Sequence, residues 1–218
     1  MGFQSTTQIG EVIRNAVAFN IKNWQANMTP SDSIIQDVKE ILAHLAQRKV
    51  DYLLVGGIAM LQYVQGRNTQ DLDLIMAVSS VETIPGLEIT TRDPNFLRAR
   101  FRQLQLDILL TSNPLFDHVA RHCASLVRAY DQPIRIASVE GLLLLKLYAL
   151  PSLYRQGDFT RVGIYESDIS ALLYAYPTGS AALLHTLTPY LESADRPEIT
   201  KILEELQTRA ERFRRGQG

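Results

Sequence analysis

The stretch DYLLVGGIAMLQYVQGRNTQDLDLIM, residues 51–76, decides the fold. Its pattern predicts a buried strand, a glycine turn, a short helix, a loop and a second strand. Because alternate residues of a strand face the same side, Asp71 and Asp73 should point together, whereas Leu72 and Leu74 should point into a core. Two ionised carboxylates this close repel each other. We therefore infer that they bind a divalent cation, Mg²⁺ or Mn²⁺, next to substrate phosphates.

A glycine turn precedes the predicted short helix. Gly56 and Gly57 follow the first apolar strand, and the run 58–64 has helical character. Glycine lets the backbone turn sharply and approach a ligand closely, and the free N–H groups at a helix start attract anions. The sequence therefore predicts a phosphate-binding turn beside the carboxylate pair. The alternative is an ordinary turn followed by an acidic strand end.

The glycine pair and the Asp-x-Asp strand together resemble a known superfamily. Val55-Gly56-Gly57 followed by Asp71-Leu72-Asp73-Leu74 is similar to the pattern of the nucleotidyltransferases, whose fold is typified by DNA polymerase beta. The local form, VGGIAM followed by RNTQDLDLI, most resembles stand-alone bacterial nucleotidyltransferases related to the AbiEii toxins. Many active members have serine at the position of Gly57, so one phosphate contact would have to come from elsewhere.

This resemblance implies a fold and a reaction. The fold is α/β (α+β), with a mixed-sheet nucleotidyltransferase core. The reaction transfers a nucleoside monophosphate from a nucleoside triphosphate (NTP) to a hydroxyl acceptor, and RNA ends, proteins and small molecules all remain open as acceptors. The resemblance also implies a possible toxin role, with an antitoxin protein as partner. A function of a different class stays open, namely a module that binds a nucleotide or a partner on the same fold without turnover.

A third carboxylate lies in the segment FLRARFRQLQLDILL, whose second half alternates like a strand. The resemblance implies that Asp107 binds a metal ion and helps to deprotonate the attacking hydroxyl; the alternative is an ordinary position on an edge strand. Arg98, Arg100 and Arg102 form a basic strip before it. Arginine forks match phosphate oxygens, so we assign Arg100 and Arg102 to nucleotide binding. The alternative is an edge strand that is protected by its charges.

The C-terminal part of the sequence is mainly helical. The run EGLLLLKLYAL is apolar nearly all round, which predicts a buried helix over 139–150. Lys146 within it either extends its end to the surface or binds an anion, and the resemblance implies a phosphate ligand that Asp168 would orient. Arg67, which precedes the Asp-x-Asp strand, completes the predicted nucleotide-binding set.

The two parts are predicted as separate domains. Residues 1–130 form the core with N-terminal helices, and residues 131–218 form a mainly helical lobe that closes one side of the cleft. Apolar periodicity predicts further helices, and these span 10–24, 33–49, 116–130, 165–176, 178–193 and 198–215.

Composition excludes several classes of protein. The 218-residue chain has a net charge of −1, so nothing in its overall charge indicates non-specific nucleic-acid binding. Its one cysteine rules out an internal disulfide and a cysteine-rich metal cluster. No apolar run is long enough to span a bilayer, and the N-terminus lacks the pattern of a signal peptide. We therefore expect a cytoplasmic protein with no membrane partner.

Overall fold

A computed structural model describes residues 30–64, 71–129 and 132–215. Within it the chain divides into two compact units, with the boundary between Ala137 and Ser138. The sequence prediction places this boundary at residue 130, before the last strand of the sheet. The predicted helix over 10–24 lies outside the described residues.

The first unit combines a mixed sheet with helices, as the sequence predicts. The seven strands that the structure describes form one sheet in the order β3-β4-β5-β2-β1-β7-β6. The pairs β2/β5 and β1/β7 are parallel, and the other neighbours are antiparallel. In chain order the elements are α1 (Pro30–Gln47), β1 (Tyr52–Leu54), α2 (Gly56–Leu61), β2 (Asp71–Met76), α3 (Val78–Val81), β3 (Leu87–Arg92), β4 (Phe96–Phe101), β5 (Leu104–Leu110), α4 (Pro114–His122), β6 (Ala124–Ala129) and β7 (Gln132–Ala137).

The central strands have one apolar face and one polar face. On β5 the residues at every second position, from Leu104 to Leu110, are buried, whereas Gln105 and Asp107 between them are partly exposed. The apolar face packs against α1, where the ring of His44 contacts Phe101 of β4 edge to face. Alternation of side chains therefore puts the core on one side of these strands and the charged residues on the other.

The helix predicted over 116–130 is wrong in its second half. Helix α4 ends at His122, and Ala124–Ala129 forms β6 instead. Strand β6 pairs along its whole length with β7. Pairing with a neighbouring strand satisfies the backbone N–H and C=O groups of a segment whose own sequence has no strong alternation. The partner strand thus overrides the helical tendency of this segment.

The second unit is mainly helical, as predicted. Its first two helices start with side-chain caps, since Ser138 Oγ accepts a hydrogen bond from the Gly141 N–H and Asp158 Oδ1 accepts one from the Arg161 N–H. The cap at Asp158 starts a helix several residues before the predicted start at 165. The elements are α5 (Val139–Arg155), α6 (Phe159–Ala175), α7 (Ser180–Leu187), a 3₁₀ turn (Thr188–Tyr190) and α8 (Arg196–Arg215). Within the described ranges, no helix combines the length and hydrophobicity needed to cross a membrane.

Candidate functional site

Three aspartates lie on the polar face of two adjacent strands. Strands β2 and β5 are parallel neighbours, and their register pairs Asp73 with Asp107 and Asp71 with Gln105. Leu72, between the two aspartates of β2, is completely buried on the other face. Strand β5 lies between β4 and β2, so Asp107 is on an interior strand of the sheet. The structure therefore brings these residues together, and their catalytic and metal-binding roles remain predictions.

The glycine turn lies directly against one of these carboxylates. Gly56 has a φ of +62°, and a Cβ atom built there would lie 1.9 Å from Asp73 Oδ2. The Gly57 N–H donates a hydrogen bond to the same oxygen, with an N–O distance of 3.2 Å. Glycine is needed at position 56 for two reasons, because a side chain would be strained by the positive φ and would displace Asp73. The glycine turn therefore packs directly against Asp73 and fixes the position of its carboxylate.

Asp107 is bound by an arginine from the next strand. Arg98 Nε and Nη2 donate to Asp107 Oδ1 and Oδ2, each at 2.8 Å. Gln105 Nε2 donates to Oδ1 at 3.2 Å. The hydrogen bond that Arg98 donates to Asp107 is the largest cause that raises the pKa of Arg98, and the charges of Asp107, Asp71 and Asp73 add to it. Arg98 is therefore a fixed cation within the field of all three carboxylates.

The sequence contains a signal for this ion pair in the turn between the two strands. Strands β4 and β5 are joined by a tight turn at Arg102 and Gln103, which makes Phe101 and Leu104 the first cross-strand pair. Counting back along the hairpin from that pair places Arg98 opposite Asp107. A hairpin with this turn pairs the two residues, whereas the basic strip alone indicates no partner for Arg98.

The other two arginines of the strip have partners of their own. Arg100 binds Glu88 on β3, with both side chains largely exposed. Arg102, which has a φ of +54°, binds Asp37 and Glu40 on α1. Since α1 packs on the apolar face of the sheet, the guanidinium of Arg102 is turned away from the three aspartates. Its contacts favour a structural role, and nucleotide binding by either arginine remains a prediction.

The remaining predicted nucleotide ligands lie elsewhere. Arg67 is outside the described residues. Lys146 is in the helical unit, where its Nζ lies 2.7 Å from Asp168 Oδ2 and 4.6 Å from the centre of the Tyr165 ring. Only 7% of the Lys146 side chain and 11% of the Asp168 side chain are exposed. The ion pair expected from the resemblance is therefore present, as a buried link between α5 and α6, and its role in phosphate binding remains a prediction.

The donor chemistry of this face fits a magnesium or manganese ion. Asp71 and Asp73 offer carboxylate oxygens from one strand face, which is the ligand type that Mg²⁺ prefers. Among the described residues, however, no group of three histidine, cysteine, aspartate or glutamate side chains is arranged to hold a metal ion. Both oxygens of Asp107 are already bound to Arg98. Asp71 and Asp73 are thus the residues that would hold a metal ion, and the other ligands would come from substrate or water.

A solved structure shares this fold. The solution structure of the antibiotic-resistance factor ANT(2'')-Ia matches with a TM-score of 0.52 and 15% sequence identity, over 73% of this chain and 91% of that chain. The present chain has a nucleotidyltransferase fold. No protein-family model matches the sequence, and no curated protein matches it.

Two further structures give weaker matches. A crystal structure of ANT(2'')-Ia in complex with adenylyl-2''-tobramycin has a TM-score of 0.46 at 13% identity and covers 70% of this chain and 94% of that one. An antigenic nucleotidyltransferase-like protein from Paracoccidioides brasiliensis has a TM-score of 0.48 at 17% identity and covers 89% of this chain and 93% of that one. The resemblance to AbiEii-related enzymes remains a prediction.

Proposed function

We propose that this chain is a metal-dependent nucleotidyltransferase that transfers a nucleoside monophosphate from an NTP to a hydroxyl acceptor. The contact between the glycine turn and Asp73 carries the proposal. Gly56 leaves no room for a side chain beside the Asp73 carboxylate, and Gly57 donates a hydrogen bond to it. A turn that is shaped around one member of a carboxylate pair, in this fold, favours a site where phosphate and metal bind side by side.

The residues of the polar face would act mainly by position and charge. A bound divalent cation would compensate the negative charge of the phosphates and of Asp71 and Asp73. The acceptor oxygen forms a bond to the α-phosphorus, and the bond from that phosphorus to the bridging oxygen breaks. Pyrophosphate leaves with the bonding electrons, and the acceptor proton passes to a carboxylate of the site or to water. Asp71 and Asp73 hold the site together, and the Gly56–Gly57 turn lets the triphosphate approach.

Incubation with labelled NTPs tests this function. The protein is mixed with Mg²⁺, a cell extract and each of the four NTPs, labelled in parallel samples at the α- or the γ-phosphate. Label from the α-position should appear on an acceptor, and label from the γ-position should appear in pyrophosphate. Transfer of γ-label to the acceptor would instead show phosphoryl transfer and contradict the proposal.

Matched variants assign the reaction to the carboxylate pair. Asp73→Asn removes one charge of the pair and should abolish labelling. Glu88→Gln removes an exposed carboxylate on β3, whose partner is Arg100, and should leave labelling unchanged. Equal labelling by both variants would place the reaction elsewhere.

The labelled product also defines the finer function. RNA ends, protein hydroxyls and small molecules are separated by nuclease treatment, protease treatment and filtration of the labelled extract. If RNA or protein is labelled and expression of the chain stops growth, the toxin hypothesis is supported. An antitoxin is then sought as a protein that restores growth.

A binding module without turnover is the second candidate. The observation in its favour is the Arg98–Asp107 ion pair, which neutralises the third carboxylate without any metal. In this case Mg²⁺ with an NTP raises the melting temperature, because a ligand that binds the folded state stabilises it. Under the same conditions, no acceptor from any extract becomes labelled.

A further inference from the structure

The polar face of the sheet carries a built-in cation as well as carboxylates. The register pairs Arg98 of β4 with Asp107 of β5, and Asp107 with Asp73 of β2. The three residues therefore form one row across three adjacent strands. The guanidinium is at one end of this row, and Asp73 is at the other.

Arg98 holds Asp107 in the most directional form of ion pair. Two parallel N–H···O bonds of 2.8 Å join the guanidinium to both carboxylate oxygens, and Gln105 adds a third hydrogen bond to Oδ1. Such a fork orients both partners. Among the described residues none accepts a hydrogen bond from Nη1 of Arg98, whose side chain is 36% exposed. This nitrogen can donate to an anion without breaking the fork.

Arg100 shows that the arrangement is not a general property of this strand face. It lies two residues from Arg98 on the same strand face, but its contact with Glu88 is a single N–O distance of 3.2 Å. Its side chain is 60% exposed and that of Glu88 is 72% exposed. Exposed pairs of this kind contribute little to stability or position. Arg100 is therefore held in place far less firmly than Arg98.

Building on the nucleotidyltransferase function proposed above, we propose that Arg98 is the second positive charge of the site. Asp107 positions Arg98 instead of binding a metal ion, one divalent cation binds at Asp71 and Asp73, and Nη1 of Arg98 binds the phosphates of the NTP. The fork supports this assignment, because both oxygens of Asp107 are already bound to Arg98. The role of Asp107 in this proposal thereby differs from the metal-binding role that the sequence resemblance implies.

Single variants test two expected effects of the Arg98 guanidinium, one on metal binding and one on phosphate binding. Binding of Mn²⁺ is followed by the electron paramagnetic resonance signal of the free ion. Arg98→Gln should tighten Mn²⁺ binding by about threefold, because a competing positive charge is removed. It should also weaken binding of α,β-methylene ATP, which cannot release pyrophosphate, by about tenfold, because a charged phosphate contact is lost. Arg121→Gln, which removes an exposed arginine of α4 whose partner is Asp117, should change neither value, and equal effects of the two variants would overturn the proposal.

A double variant decides whether Asp107 is a metal ligand. Arg98→Gln with Asp107→Asn removes one charge of each sign and leaves no unpaired charge, so the protein should fold even if Arg98→Gln alone does not. If Asp107 only positions Arg98, the Mn²⁺ affinity should stay within about threefold of wild type. A loss of about tenfold or more would show that Asp107 binds the metal and would overturn the proposal.

The parent function fails in a different way from this inference. Mn²⁺ binding that is absent, or that Asp73→Asn leaves unchanged, overturns the proposed metal site and the role of Arg98 with it. Mn²⁺ binding that Asp73→Asn abolishes, together with a weakened double variant, overturns only the role of Arg98 and Asp107. Both are supported if Asp73→Asn abolishes Mn²⁺ binding, the double variant binds Mn²⁺ as the wild type does, and Arg98→Gln weakens nucleotide binding.

Discussion

The two units of this protein each hold a side-chain ion pair, and the pairs differ in exposure. Arg98 and Asp107 meet on the polar face of the sheet, with 36% and 16% of their side chains exposed. Lys146 and Asp168 meet inside the helical unit, with 7% and 11% exposed. A pair in contact with water can exchange its partner for a ligand, whereas a buried pair is costly to separate. The exposed pair of the first unit is therefore open to a ligand, whereas the buried pair of the second fixes helix packing.

The largest expected effect is on activity, at the polar face. Asp73→Ala should lower nucleotidyl transfer by about a thousandfold, because the charge on the transferred group is no longer compensated. Stability without metal should change little. The variant loses the hydrogen bond from Gly57, worth about 1 kcal/mol, but it also relieves repulsion from Asp71. Steady-state labelling and urea unfolding in the presence of a chelator measure both quantities.

A strong loss of stability in Asp73→Ala would contradict the proposed difference between the two units. It would mean that the carboxylates of the sheet are as structural as the pair in the helical unit. Glu88→Gln, on the same face of the sheet, provides the control for both measurements.

The next effect is on stability, in the helical unit. Lys146→Met should lower the free energy of unfolding by about 3–5 kcal/mol, because it leaves Asp168 buried without its partner. The double variant Lys146→Met with Asp168→Leu should recover most of this loss, since replacing both charges by apolar groups is often neutral. Urea unfolding of the three proteins measures the difference. If Lys146→Met instead folds normally and loses only nucleotide binding, the phosphate-ligand role of Lys146 is supported.

A pair of glycines tests how tightly the turn fits Asp73. Gly56 and Gly157 have similar positive φ values, +62° and +69°, but a Cβ atom would meet Asp73 only at Gly56 and nothing within 4 Å at Gly157. Gly157→Ala should cost about 1 kcal/mol from backbone strain alone. Gly56→Ala should cost more and should also weaken Mn²⁺ binding, because it displaces the carboxylate. Equal losses of stability in the two variants would show that the turn accommodates the added methyl group without moving Asp73.

The smallest expected effect is on the titration of a tyrosine at alkaline pH. Hydrogen bonding to Glu166 raises the pKa of Tyr154, in the helical unit, to about 12, whereas burial raises the pKa of Tyr52, in the sheet unit, to about 12. A phenol with a raised pKa stabilises the folded state below its unfolded pKa of about 10 and loses that contribution as pH rises towards 12. Glu166→Gln should therefore lower the pKa of Tyr154 and leave that of Tyr52 unchanged. Tyrosinate absorbance during a pH titration, with Tyr154→Phe as a reference, checks this.

The sequence predicted the centre of the sheet better than its margins. Asp71 and Asp73 share a face because strand alternation is a local property, and the glycine turn was recognisable from its two residues. Strand β6 was missed because its backbone partner, β7, lies beyond the segment itself. The contact of Arg102 with Asp37 was missed for the same reason, because the two residues are 65 positions apart in the chain. A local sequence pattern indicates which face a residue occupies but not which distant residue it contacts.

The tight β4–β5 hairpin has a consequence for the order of folding. Arg98 and Asp107 are nine positions apart, whereas Asp73 joins Asp107 only when β5 pairs with β2 across the intervening β3 and β4. Local hairpins close faster than long-range parallel pairs. We therefore expect Asp107 to reach the growing sheet with its charge already compensated, so that the slow step brings Asp71 and Asp73 next to an ion pair rather than next to a bare carboxylate.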